Sequence, residues 1–305
     1  MEKIMKCQRV LVTGANGYIG SRVVKTLLDL GMDVFAASKQ SNYIDSRAHI
    51  IECDIFELEH DAFAHLGSPD VCIHMAWEKG FIHDDFCHLE NLPKHCKFLT
   101  NMINAGLPHL SVMGSMHEIG YHEGIITNTT PANPESYYGI AKNALRQTLE
   151  VLARNKDFAL QWLRGYYVFG DDSRGSSIFS KITEAAQRGD CSFPFTSGKN
   201  QYDFIHLDDL ALEIALASLQ TDVSGIINCC TGKPIALKDQ VEWFIEDRGY
   251  GVKLEYGVFP DRPYDSPVVY GDNSDIVRIL RSSLPMITDG IELKRLLQLL
   301  NIIGR

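Results

Sequence analysis

One stretch near the N-terminus, Thr13-Gly14-Ala15-Asn16-Gly17-Tyr18-Ile19-Gly20, constrains the fold of this chain more than any other. Its glycines recur at every third position. An apolar run, Arg9-Val10-Leu11-Val12, comes just before it and reads as a buried strand. Gly20 to Leu30 follows and reads as a helix, with Val23, Val24, Leu27, Leu28 and Leu30 on its inner face and Gly31 as its stop. A strand, a glycine loop and a helix in that order have a specific physical use. One glycine makes the tight turn, one lets backbone approach a pyrophosphate, and one lets helix pack on strand. The helix N-terminus then faces the phosphate charge. The spacing predicts a dinucleotide site, with Gly14, Asn16, Gly17, Tyr18, Ile19 and Gly20 around the phosphates.

The pattern continues as an alternation. Strands are expected at Asp33–Ala37, His49–Cys53, Val71–Met75 and Leu110–Met113, and a long helix over Tyr138–Leu152. Strands alternating with helices imply a doubly wound parallel sheet, the α/β Rossmann class. Gln161 to Val168 reads as one more strand. Beyond it turn signals crowd the chain, in Asp171-Asp172-Ser173-Arg174-Gly175, Ser197-Gly198-Lys199-Asn200 and Pro260 to Pro267, which suggests a smaller α/β substrate domain. Ile226-Ile227-Asn228-Cys229 is expected to return to the main sheet. The domains therefore interleave: 1–169 plus 206–232 for the dinucleotide, 170–205 plus 233–305 for the substrate.

With 305 residues, 45% hydrophobic and 22% charged, the chain has ample core for this architecture. A net charge of −10 with no Lys/Arg run argues against a nucleic-acid partner. No apolar run reaches the ~18 residues of a membrane span. Eight cysteines occur without a CxxC pair, and no signal peptide is evident, so reduced thiols in a cytoplasmic protein are expected. Neither a metal-ligand pattern nor an internal repeat stands out.

The end of the second strand bears on which dinucleotide is held. NAD sites place a carboxylate there for the adenine ribose; NADP sites offer a cation to the 2′-phosphate. Here the strand runs Ala37-Ser38-Lys39, without an acid. NADP is therefore expected ahead of NAD, with Ser38 and Lys39 at the phosphate, although Lys39 could equally be a solvated loop residue. Asp54 could accept from the adenine amino group, and Ala76, after Met75, would line the cofactor closely.

Tyr138-Gly139-Ile140-Ala141-Lys142 puts a phenol and an amine on one helical face. A phenol ordinarily titrates near 10; a nearby Lys and an oxidised nicotinamide would lower it for proton transfer. Ser115 follows a strand end, where a hydroxyl faces the crevice of a parallel sheet, unless it is simply a turn serine. Asn91 could order a relay water or pack.

Taken together these motifs resemble the extended short-chain dehydrogenases/reductases, the NAD-dependent epimerase/dehydratase group. The resemblance rests on Val10 to Gly20, Asp54-Ile55, Gly114-Ser115, Tyr138 to Lys142 and Asp203-Phe204-Ile205-His206-Leu207-Asp208-Asp209-Leu210-Ala211, and spans nearly the whole chain. It implies Ser115, Tyr138 and Lys142 as the catalytic set, a nicotinamide cofactor also touched by Ile55, Lys142, Tyr167 and Val168, and a nucleotide-sugar substrate held by Ser115, His117, Tyr138 and Arg262. Arg262 would meet the substrate diphosphate, or stand solvated in its loop. Sugar-nucleotide dehydratases carry an acid pair after the catalytic hydroxyl residue; Met116 and His117 occupy those places. UDP-hexose epimerases usually carry an Asn where Tyr167 stands and an Arg where Tyr202 stands. The expected activity is reduction of a nucleotide-linked 4-keto-6-deoxyhexose at C4, as in the branch that includes CDP-abequose synthase. The alternatives are a 4-epimerase that retains NAD and a dinucleotide-sensing regulator. Family members often pair through two helices, so a homodimer using Asn91–Ala105 and Tyr138–Leu152 is a further expectation.

Overall fold

A computed structural model describes residues 8–59, 61–170, 174, 177–261, 265–287 and 290–302. Its first strand, β1 (Arg9–Thr13), is flanked by β2 (Asp33–Ser38) and β4 (Val71–His74). Outward from these come β3 (His49–Glu52) on one side, and β5 (His109–Ser115), β7 (Ala159–Gly165) and β11 (Gly225–Cys229) on the other. Every pairing in this seven-stranded sheet is parallel. The expected doubly wound sheet is present, and Ile226–Cys229 joins it as its outermost strand.

Alternation along the strands explains why both faces are covered. Val10 and Val12 of β1 point to one side, where they meet Val23, Val24 and Leu27 of α1 (Tyr18–Asp29) and Leu210 and Ile214 of α6 (Leu207–Ser218). Leu11 points to the other side, among Phe98, Leu99 and Met102 of α3 (Cys87–Asn104) and Leu145 and Leu149 of α4 (Tyr137–Ala153). Each large apolar side chain removed from water contributes about 1.5–3 kcal/mol, so both layers are strongly held.

The expected single strand Gln161–Val168 is in fact two. β7 stops at Gly165, and β8 (Tyr167–Phe169) leaves the main sheet to pair in parallel with β10 (Gln201–His206). Tyr166 sits at the break, buried. The switch carries the chain into a second sheet of β12 (Pro234–Ala236), β10, β14 (Val268–Gly271) and β6 (Gly124–Ile126). A third core of Phe179, Phe195, Phe204, Phe244 and Ile126 lies there. We propose the two-lobed division given above, with β6 and β8 lent by the first lobe to the second sheet. Among the described residues no helix is long and apolar enough to cross a membrane.

Candidate active site

The glycine loop meets the end of β4 so closely that a side chain would not fit between them. Gly14 has φ +67°, and a Cβ there would lie 2.6 Å from the Ala76 nitrogen. At Gly20 it would lie 2.3 Å from the Gly14 carbonyl. Thr13 ties the two segments together: its hydroxyl accepts from the backbone N–H groups of Met75 (3.2 Å) and Ala76 (3.3 Å), while His74 Nδ1 lies 2.9 Å away. His74 in turn meets His95 (2.9 Å between Nε2 and Nδ1). Burial holds His74 down near 3 and pushes His95 down with it, so this buried chain is neutral.

The N-terminus of α1 is a donor site. Gly17 caps it with no side-chain hydrogen bond, and its first turn has no acid. The first amides of a helix lack intrahelical partners and carry partial positive charge. Asn16 uses its side-chain oxygen on the Tyr43 N–H (2.8 Å). Tyr18 donates its hydroxyl to the Gly170 carbonyl, and Ile19 packs into the core. Arg174 reaches back across the sequence to donate to the Asn16 carbonyl (2.7 Å) and the Ser21 hydroxyl (3.0 Å), its guanidinium 3.6 Å from the Tyr43 ring centroid. A fixed cation therefore stands beside the loop. Sequence reading takes Arg174 only as part of a turn.

Lys39 is not an unattended cation. Its amine lies 2.9 Å from Asp54 and 3.0 Å from Glu78. The bonds to Asp54 and Glu78 raise its titration point. Burial alone would raise the Asp54 carboxyl; Lys39 and the Phe56 N–H (3.0 Å) outweigh it and bring the carboxyl below its usual range. Ser38 ends β2, and Ile55 is buried beneath. Asn91 binds Glu78 (3.1 Å) and receives Lys94 (2.9 Å) on this outer rim.

At the other end of the cleft Ser115, Tyr138 and Lys142 converge. Ser115 ends β5, and its hydroxyl bonds to the Tyr138 phenol while accepting from the His117 N–H (3.3 Å). Ser136 caps α4 through the Gly139 N–H (3.2 Å), which starts the helix where Tyr138 and Lys142 share a face. The Lys142 amine donates to the Met113 carbonyl (2.7 Å), lies 3.8 Å from the Trp77 ring centroid and 5.8 Å from that of Tyr138. Burial pushes Tyr138 up to about 12 and Lys142 down to about 7. Burial dominates the phenol, with Ser115 lowering it and Glu118 raising it.

Rings wall this pocket. His83 lies parallel to Tyr138 (5.0 Å, 12°) and 4.1 Å from His117. His117, held neutral near 3 by burial, also faces Tyr167 at 6.5 Å. Tyr167 and Tyr202 stand 4.4 Å apart, so the two departures from the epimerase pattern touch each other. Val168 packs into the main core. Arg262 lies outside the described residues.

A family model, the NAD dependent epimerase/dehydratase family, matches residues 10–230. The chain belongs to that family.

It is 43% identical over 267 residues to a dTDP-6-deoxy-L-talose 4-dehydrogenase (NAD(+)) of Aggregatibacter actinomycetemcomitans, covering 86% of this chain and 98% of that one. The same fold occurs in a UDP-N-acetylglucosamine 4-epimerase from Methanobrevibacter ruminantium (TM-score 0.77, 20% identity, 97% of this chain and 96% of the other). It occurs too in a Thermus thermophilus UDP-glucose 4-epimerase (TM-score 0.73, 21% identity, 95% and 97%). Membership makes the chain an NAD(P)-dependent enzyme, which removes the sensor alternative. The donor set fits a dinucleotide: an uncapped helix N-terminus and Arg174 for its phosphates, and the carboxylates of Asp54, just after β3, and Glu78, in the loop after β4, for its ribose side. Two residues outside the sequence motifs flank the catalytic pair. Trp77, under Lys142, and His83, over Tyr138, both come from the loop after β4.

Proposed function

We propose that this enzyme interconverts a nucleotide-linked 4-keto-6-deoxyhexose and its 4-hydroxy product, with NAD as cofactor. The observation that carries the reading is the likeness, over almost the whole relative, to an enzyme named for C4 chemistry on a dTDP-6-deoxyhexose. The site geometry supports the same chemistry. A reduced nicotinamide supplies hydride to C4 when bound. The carbonyl oxygen then takes the Tyr138 proton, so C=O becomes CH–OH while Ser115 holds that oxygen. Burial keeps the phenol protonated, so the proton is there to give, and the Ser115 bond works against burial to make it easier to release. Lys142 orients the ribose next to it, and the ring wall of His83, His117, Tyr167 and Tyr202 encloses the sugar. Gly14, Gly17 and Gly20 keep the phosphate loop open, with Met75, Ala76, Tyr167 and Val168 along the cofactor path.

NAD is preferred here to the NADP that Ser38-Lys39 alone suggests. A 2′-phosphate would have to displace two carboxylates from Lys39 and then face them. A ribose hydroxyl pair could donate to them instead. The exposed Ile140 and Val151 on α4 support pairing of two copies through α3 and α4, which sedimentation would test.

The functional test offers CDP-, GDP-, dTDP- and UDP-linked 4-keto-6-deoxyhexoses with NADH or NADPH and follows the reduced nicotinamide absorbance. Stoichiometric NADH oxidation with one of them is expected. No consumption across the panel, with interconversion of unreduced UDP-sugars and tightly retained NAD, would establish an epimerase instead.

A further inference from the structure

Glu118, one position beyond the Met116 and His117 that stand in place of a dehydratase acid pair, is among the most enclosed carboxylates of the described residues, fully buried behind Ser115. Three elements converge on it. From β5, the Ser115 N–H donates to Oε1 at 2.6 Å. From β7, the Trp162 indole N–H is shared between both oxygens at 2.8 and 2.9 Å, and the Arg164 guanidinium lies 3.7 Å away. From α4, Arg146 approaches to 3.9 Å. Arg146 also binds Glu150, but among the described residues Glu118 is the only carboxylate within ion-pair distance of Arg164. Burial raises this carboxyl above its usual range, while Arg164, the Ser115 N–H and the Trp162 indole pull towards the ionised form.

Two features tie this carboxylate to the reacting groups rather than to packing alone. The first is a reciprocal bond pair. Ser115 caps the turn Met116–Glu118 by accepting from the His117 N–H, and Glu118 holds the Ser115 N–H in return. Accepting from His117 leaves the Ser115 hydroxyl its own proton to offer, and Ser115 pulls the Tyr138 phenol towards its ionised form. The second is the space left for the charge. A Cβ on Gly114 would lie 2.2 Å from the indole nitrogen and 2.8 Å from Glu118 Oε1, so the glycine makes room for both.

We propose that Glu118 is a positioning residue, which holds Ser115 in place through its backbone N–H and sets a carboxylate, braced by Arg164 and Trp162, behind Tyr138 and Lys142. That charge opposes ionisation of the phenol and favours the ammonium form of the lysine. The other groups facing Tyr138 are the His83, His88 and His117 rings, the Trp77 ring and the Ser115 hydroxyl, none of which carries a formal negative charge. The inference rests on the assignment of Tyr138 as the proton donor above.

The test is the pH profile of kcat for NAD-saturated enzyme in the alcohol-oxidising direction, where Tyr138 must take a proton. Glu118→Gln removes the charge. Its acid limb is expected to move to lower pH by about one unit, a tenfold change in proton affinity, with KM within about twofold and kcat lowered at least tenfold. Glu118→Asp keeps the charge but draws it back from the Ser115 N–H. It should keep the wild-type limb and still lose kcat, and it serves if the Gln variant does not fold. A Gln profile superimposable on wild type, or an Asp variant with full kcat, overturns the proposal. Tyr138→Phe is run in parallel. If it keeps its rate, the donor assignment fails; if it is inactive while both Glu118 variants behave as wild type, only the Glu118 inference falls.

Discussion

At the outer rim of the cleft Lys39 stands in solvent between Asp54 and Glu78; at its floor Lys142 and Glu118 are buried beside a half-buried Tyr138. Both places hold an amine near carboxylates, and water makes them different devices. At the rim, screening leaves each ion pair worth about 0–1 kcal/mol. There the two carboxylates raise the lysine, and the exposed pairs can be rearranged by whatever ligand arrives. At the floor, desolvation sets the balance and brings the lysine to about 7, within reach of neutrality. The rim can select a ligand by charge; the floor can move a proton.

That contrast can be attacked directly. The largest expected effect is at the floor. Tyr138→Phe should lower kcat by about 10²–10⁴-fold with cofactor affinity nearly unchanged, measured by single-turnover kinetics and calorimetry. Retention of more than about a tenth of the rate would put the acid elsewhere.

The next effect is on stability. His74, His95 and His117 are buried neutral, with folded values well below the unfolded 6.5. The unfolded chain therefore takes up protons first as pH falls through 6.5, and stability is lost from there downward. The expected slope is about 1.4 kcal/mol per pH unit for each histidine that titrates. Urea unfolding at a series of pH values above the carboxylate range measures it. A flat curve between about 6.5 and 5 would mean that these rings are not sealed.

At the phosphate loop, Arg174→Ala should weaken ADP-ribose and NAD binding about tenfold while leaving adenosine unaffected, since only the former carry the charge. Equal losses for all three would show that Arg174 merely shapes the loop. The smallest effect belongs to the rim. Lys39→Ala should change stability by less than ~1 kcal/mol and alter the NAD to NADP preference by less than tenfold. Wild-type preference for NADP that disappears in this variant would restore the lysine to a 2′-phosphate.

The parts of this arrangement written locally in the chain could be read from it. Gly14, Gly17 and Gly20 announce themselves because one turn needs all of them, and Tyr138 and Lys142 because a helix puts positions four apart on one face. Alternating apolar runs were enough for the main sheet, down to the return of Ile226–Cys229. The break at Tyr166 was not legible, since β8 departs only because β10 offers it a partner from a distant segment. Lys39 pairs with a residue 39 positions away, and Arg174 meets one 158 positions away. Neither distance leaves a local trace. Glu118 did leave one. Ser115-Met116-His117-Glu118 has the spacing of a capping box, and its place right after a strand could have marked the carboxylate as bound to Ser115.

Gly114 extends that lesson to inheritance. Its missing side chain is the space that an indole and a carboxylate occupy, so positions 114, 118, 162 and 164 depend on one another physically. Any replacement at 114 collides with Trp162; any loss at 118 strands Arg164. Single substitutions in this corner meet a barrier that paired ones can avoid. The rim, by contrast, can change one residue at a time. Over long divergence, cofactor preference should drift easily, while the corner behind the serine passes down whole or is exchanged whole.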